Sequence, residues 1–156
     1  MRFIGRIVDG TEAEFFPAGC GCAHVDELSG EALAAEYAAA EVLVNLGNTV
    51  DNQMPSKIFE YISTGKPILN IHPSPACPTL TYIEKYPLGL NVAEAEILAD
   101  PAGCAGKVRA FCRETRGKRV SAETVLRLYA ENTYEAFAAK LAEAVESLPA
   151  AARRRS

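Results

Sequence analysis

Within residues 45–68, NLGNTVDNQMPSKIFEYISTGKPI, three residues behind a helix-opening Pro55 have the types and spacing to hold a phosphorylated ligand: Ser56, Lys57 and Glu60. Proline suits a first helical turn, because it has no N–H to lose and its φ is already near the helical value. A helix that opens there leaves backbone amides near Ser56 and Lys57 without intrahelical partners. Those amides and the positive end of the helix dipole favour an anion. Lys57 adds a cation at the same end. Glu60, one turn further on, carries a carboxylate that can accept from two neighbouring ribose hydroxyls. Phosphate at the tip and ribose one turn along is the layout of a nucleoside diphosphate. The same residues also fit a plainer account, in which Ser56 helps cap the helix. Lys57 and Glu60 would then be an exposed i,i+3 pair worth a few tenths of a kcal/mol.

The elements that must position these side chains can be read along the chain. Residues 2–8 (RFIGRIV) are short, apolar and β-rich, and stop at Asp9-Gly10; they predict a strand. Residues 22–25 predict a second. Ser29 can cap a helix running to Ala40 over the strong helix formers of EALAAEY. Residues 41–46 (EVLVNL) form a mostly apolar run, as a strand covered on both faces requires. A polar loop over 47–54 leads into the helix at 55–64, with Gly65 as its stop. On that helix Ile58, Phe59 and Ile62 share a face suited to the core. Strands at 67–71 and 88–92 follow, separated by a proline-rich loop at 72–78 and a short helix at 79–85. Helices over 102–113, 121–132 and 133–147 come last, and Pro149 opens a basic tail, 149–156. Strands alternating with helices, and strands without period-two polarity, predict an α/β fold. Its parallel sheet should be Rossmann-like and doubly wound, with helices on both faces, in one domain over 1–148. Ligands of such sheets bind where strand ends enter loops, which selects residues 47–57.

The string Asn48, Asn52-Gln53, Pro55-Ser56-Lys57, Phe59-Glu60-Tyr61 and Gly65-Lys66-Pro67-Ile68 resembles the C-terminal domain of glycosyltransferase family 4 and related GT-B enzymes. Tyr82 to Leu90 (YIEKYPLGL) continues the likeness, and Glu131-Asn132-Thr133 resembles that family's C-terminal end. The likeness spans about residues 20–148 and is strong over 45–90. It implies that Glu60 holds the ribose of a nucleotide-diphosphate sugar and that Ser56 and Lys57 hold its phosphates. Asn48, Asn52 and Gln53 become loop candidates for the sugar. The implied acceptor is a glycan or lipid-linked sugar, and neither cofactor nor metal is implied.

The chain also departs from the family pattern. Many members carry a second glutamate eight residues before the ribose glutamate; Asn52 stands there, able to hydrogen-bond a hydroxyl but uncharged. The family's arginine and lysine facing the diphosphate have no clear counterpart, although Arg6 offers the arginine. Val25 and Asp26 are a guess for base contact. A complete enzyme of this kind has two such domains and about twice this length, so a missing N-terminal GT-B domain is an expected partner. Donor binding with little transfer by this chain alone is the corresponding expectation. A non-catalytic nucleotide-binding or interaction module of the same fold is the alternative. A receiver-like signalling domain would need an acidic pocket, for which Asp9 and Asp51 are a poor match.

Other features carry less. Gly65-Lys66 is not a phosphate-binding P-loop, since Glu60 stands where its first glycine belongs and Pro67 follows the lysine. No Gly-x-Gly-x-x-Gly follows a strand. Cys20-x-Cys22-x-His24 lacks usual zinc spacing and a partner pair. His72 follows a strand but has no named partner. Phe137, Leu141, Val145 and Leu148 make a stripe on the last helix. The stripe fits ordinary core packing or, left uncovered, self-association. With 156 residues, 49% hydrophobic and 23% charged, the chain has material for a real core. A formal net charge of −4 gives no reason to expect nucleic acid. Five cysteines and no signal-like segment predict a reducing, cytoplasmic setting. The Arg153–Arg155 run reads as a solvated tail, with peripheral association at an anionic inner-membrane surface as its alternative.

Overall fold

The computed structural model describes residues 1–7, 16, 19, 21–50 and 53–147. The chain divides into two compact units, Met1–Ala40 and Glu41–Ser156. In the first, strands β1 (Arg2–Ile4) and β2 (Ala23–Val25) pair in parallel, with Phe3 opposite His24. The Phe16 ring packs on Phe3 at 4.8 Å and stacks on His24 at 5.8 Å. Helix α1 (Gly30–Ala39) buries none of its residues, and Ser29 makes no side-chain capping bond. It draws instead on the intrinsic preference of Ala, Glu and Leu for the helix. An ion pair of 3.0 Å between Arg2 and Glu36 links it to β1.

The second unit is built on strands β3 (Leu43–Leu46), β4 (Ile68–His72) and β5 (Gly89–Ala93). They form a parallel sheet in the order β3-β4-β5, with Leu43 opposite Ile68 and Ile68 opposite Gly89. Helix α2 (Lys57–Ser63) connects β3 to β4, and α3 (Thr79–Lys85) connects β4 to β5. After β5 come α4 (Glu94–Ala99), α5 (Pro101–Thr115), α6 (Ala122–Leu128), a 3-10 turn (Ala130–Asn132) and α7 (Tyr134–Ser147). A parallel α/β sheet flanked by helices therefore agrees with the alternation read in the sequence.

Side chains along a strand point alternately to opposite faces, and two cores result. On one face Ile68 packs with Ile58 and Ile62 of α2, Ile83 of α3, Tyr86 and Tyr129, and α6 closes it with Val125 and Leu128. On the other, Leu69 and Val92 pack with Cys104 of α5, flanked by Val44, Ile71, Leu90, Ile97, Val108 and Phe111. Ile58 and Ile68 are fully buried, each contributing about 1.5–3 kcal/mol by burial. Asp100 caps α5 by accepting from the Gly103 amide at 2.9 Å, with Pro101 in the first turn.

Several expectations need correction. Helix α2 begins at Lys57 rather than Pro55, because the Ile58 and Phe59 amides turn tightly onto the Pro55 and Ser56 carbonyls at 3.2 and 3.3 Å. Phe59 leaves the core face: it is 39% exposed and meets Tyr82 edge-on at 5.4 Å. The segment read as a helix over 121–132 breaks at Tyr129 into α6 and the 3-10 turn, and α4 was not expected at all. Phe137, Leu141 and Val145 are exposed and α7 buries no residue, so the stripe does not pack into a core among the described residues. Leu148 and the tail lie outside those residues. No helix of the described chain is long and apolar enough to cross a membrane.

Candidate functional site

Parallel pairing puts the starts of α2 and α3 at the carboxyl edge of the β3-β4-β5 sheet. The loop entering α2 leaves that edge at Gly47, whose amide bonds to the Ile71 carbonyl at 2.8 Å. Asn48 folds the loop on itself, donating from Nδ2 to the Gln53 carbonyl at 3.0 Å, while the Gln53 amide bonds to the Val50 carbonyl at 3.1 Å. Met54 then packs against the core beneath α2. This anchors the turn at Pro55 and Ser56.

Ser56 sits in helical geometry at φ −59° and ψ −31°, and its side chain makes no capping bond. Among the described residues no backbone carbonyl accepts from the Ser56 or Lys57 amide. Lys57 Nζ lies 3.5 Å from Glu60 Oε2, and both side chains are about half exposed, at 53% and 52%. The structure thus brings Ser56, Lys57 and Glu60 together at one helix end. It also forms the i,i+3 pair of the plainer account, which is worth little in water. Asn48 is spent on holding the loop, and Gln53 is exposed. Asn52 lies outside the described residues, as do Asp9, Asp51 and Cys20. Arg6 pairs with Glu27 at 2.9 Å in the first unit, and Asp26 is exposed. His24 Nε2 bonds to the Gly5 carbonyl at 2.7 Å, and no group of three His, Cys, Asp or Glu suited to a metal occurs among the described residues. His72 donates from Nδ1 to the Ser74 carbonyl at 2.9 Å, which closes the turn after β4.

The Gly-Lys-Pro segment has a structural account. Gly65 ends α2 at φ +68°, and a Cβ there would collide with the Val120 carbonyl oxygen. Lys66 is buried, and its carbonyl accepts from the Tyr86 hydroxyl at 2.8 Å. Burial, with Arg119 nearby, holds the Lys66 ammonium below the usual lysine value. Burial also pushes the Tyr86 phenol well above its ordinary value. Asn132 donates to the Tyr82 hydroxyl at 3.3 Å and Glu131 pairs with Lys85 at 3.4 Å. Glu131-Asn132-Thr133 therefore fastens the 3-10 turn onto α3.

One feature of this face was missed in the sequence. Asn45, Asn70 and Asn91 stand opposite one another on three adjacent strands. Asn45 donates to Asn70 Oδ1 at 2.7 Å, and Asn70 donates to Asn91 Oδ1 at 2.8 Å. Thr79 of α3 also donates to Asn70 Oδ1 at 3.1 Å. Asn70 is fully buried, so these partners are what make its burial tolerable. The signal was present: LVNL, ILNI and GLNV place asparagine third in each run. No protein-family model, curated protein or solved structure matches this chain.

Proposed function

We propose that this chain holds the nucleotide diphosphate of a sugar donor, as the C-terminal half of a two-domain glycosyltransferase with the GT-B fold. On this reading the three-stranded sheet belongs to a doubly wound Rossmann-like half-domain. One observation carries the reading: the residues that the sequence resemblance names for phosphate and ribose stand together where β3 leads into α2. The Ser56 hydroxyl is not used for capping, and among the described residues no backbone carbonyl takes up the Ser56 or Lys57 amide. Lys57 and these amides would stabilise the charge that develops on the leaving diphosphate. Glu60 would accept from the ribose hydroxyls, exchanging its pairing with Lys57 for the ligand. A glycan or lipid-linked acceptor, and any general base, would come from a second domain.

A non-catalytic nucleotide-binding or interaction module is the second reading. It is favoured by the Lys57–Glu60 pair already formed and by Asn48 being spent within its own loop. Calorimetric titration with UDP, GDP and ADP tests the first. One nucleotide should bind selectively, and Glu60→Ala should weaken it about tenfold or more through loss of a charge-assisted hydrogen bond. Equal binding by wild type and variant contradicts the ribose role. Turnover of a nucleotide sugar by this chain alone would contradict the need for a second domain.

A further inference from the structure

We infer that Cys77 is a positioning residue for the loop that carries the candidate donor site, and this rests on the donor-binding reading above. Cys77 is buried in the turn before α3. Its Sγ lies 3.3 Å from Thr79 Oγ1. Thr79 has a single hydroxyl proton and gives it to Asn70 Oδ1, so the Cys77 S–H is the donor to Thr79. Asn45 donates to the same Asn70 oxygen from β3, two residues before Gly47. Gly47 in turn lies flat against Cys77: a Cβ on Gly47 would stand 2.8 Å from Cys77 Sγ, 3.2 Å from Pro73 Cδ and 3.3 Å from the His72 Cα. The φ of Gly47 is not positive, so glycine serves close approach here rather than backbone freedom.

A closed circuit results. Cys77 is bonded through Thr79, Asn70 and Asn45 to the end of β3, and its sulfur is the surface on which the next residue of the loop rests. The direction in which Gly47 leaves the sheet sets where Asn48, Gln53 and the Ser56–Lys57 turn arrive. Sulfur suits this place because it is large enough to fill the gap and still donates a hydrogen bond. Valine fills the gap without donating; serine donates but recedes from Gly47.

The test compares wild type, Cys77→Val and Cys77→Ser by amide hydrogen exchange and by titration with the diphosphate nucleotide that wild type binds. In Cys77→Val, exchange should quicken at Gly47 and Asn48 while amides of β5 and α5 stay protected. Nucleotide affinity should fall about tenfold, as a displaced binding group loses its geometry. Cys77→Ser, which keeps the donor but recedes from Gly47, should recover part of that loss. Unchanged exchange at Gly47 in a folded Cys77→Val overturns the proposal, and so does exchange that quickens equally across the whole second unit. If wild type binds no nucleotide, the donor reading fails while exchange at Gly47 still decides the positioning role.

Discussion

The two faces of the β3-β4-β5 sheet are held by different physics. Toward α5 the strands present Val44, Leu69, Ile71, Leu90 and Val92, an apolar surface with no direction of its own. Toward α2 and α3 they present Ile68 beside the Asn45–Asn70–Asn91 ladder, in which Asn70 accepts from Asn45 and Thr79 and donates to Asn91. An apolar face accepts many packings of similar volume. A ladder built on the buried Asn45 and Asn70 amides accepts one register, because a slip would leave their donors and acceptors unpaired in a dry interior. The polar face is also the one from which α2 rises, so the constraint on register lies on the side of the candidate site.

That contrast can be broken most sharply at Asn70. Asn70→Ala strands the Asn45 and Thr79 donors and the Asn91 acceptor, and should cost about 3–5 kcal/mol, read as a lower urea midpoint. Leu69→Ala, on the opposite face of the same strand, creates a cavity and should cost about 3 kcal/mol. Tyr129→Phe removes the bond from its hydroxyl to the Tyr82 carbonyl, 2.6 Å long, and should cost about 1 kcal/mol at neutral pH. Burial pushes the Tyr129 phenol up to about 12, with Tyr82 adding to the rise. Its folded value thus exceeds the unfolded value near 10. Between those values the unfolded chain holds fewer protons than the native one, so the stabilisation is complete below pH 10 and fades as pH rises toward 12. Tyr129→Phe should show a smaller alkaline loss of stability than wild type over that window. Leu69→Met, conserving volume, should cost about 1 kcal/mol or less, which sets the tolerance of the apolar face beside the intolerance at Asn70.

Much of the second unit was legible in the sequence, since its strands are apolar runs separated by helix signals. The parallel sheet, the helix after Pro55 and its end at Gly65 follow from local rules about apolar runs, proline and glycine. Helix α4 was not legible, because EAEILA is short, begins without a capping side chain and leaves Leu98 exposed. Phe59 was misplaced because helical periodicity puts it near Ile58 and Ile62, whereas Tyr82 on α3 offers it an edge contact at the surface. The ladder was readable as a repeated pattern but not as contact, since register is decided by tertiary pairing. At the candidate site, Ser56, Lys57 and Glu60 lie at one helix end, as their spacing in the sequence predicts. Sequence could not foresee that Asn48 would turn inward to Gln53.

The central claim, that the start of α2 receives a nucleotide diphosphate, is tested most directly by amide chemical-shift mapping of the chain during titration with UDP, GDP and ADP. The account predicts that one nucleotide shifts the amides of Ser56, Lys57 and Glu60 first and most, with Gly47 and Asn48 following. Shifts confined to other surfaces, or no shifts with any of the three, would contradict it.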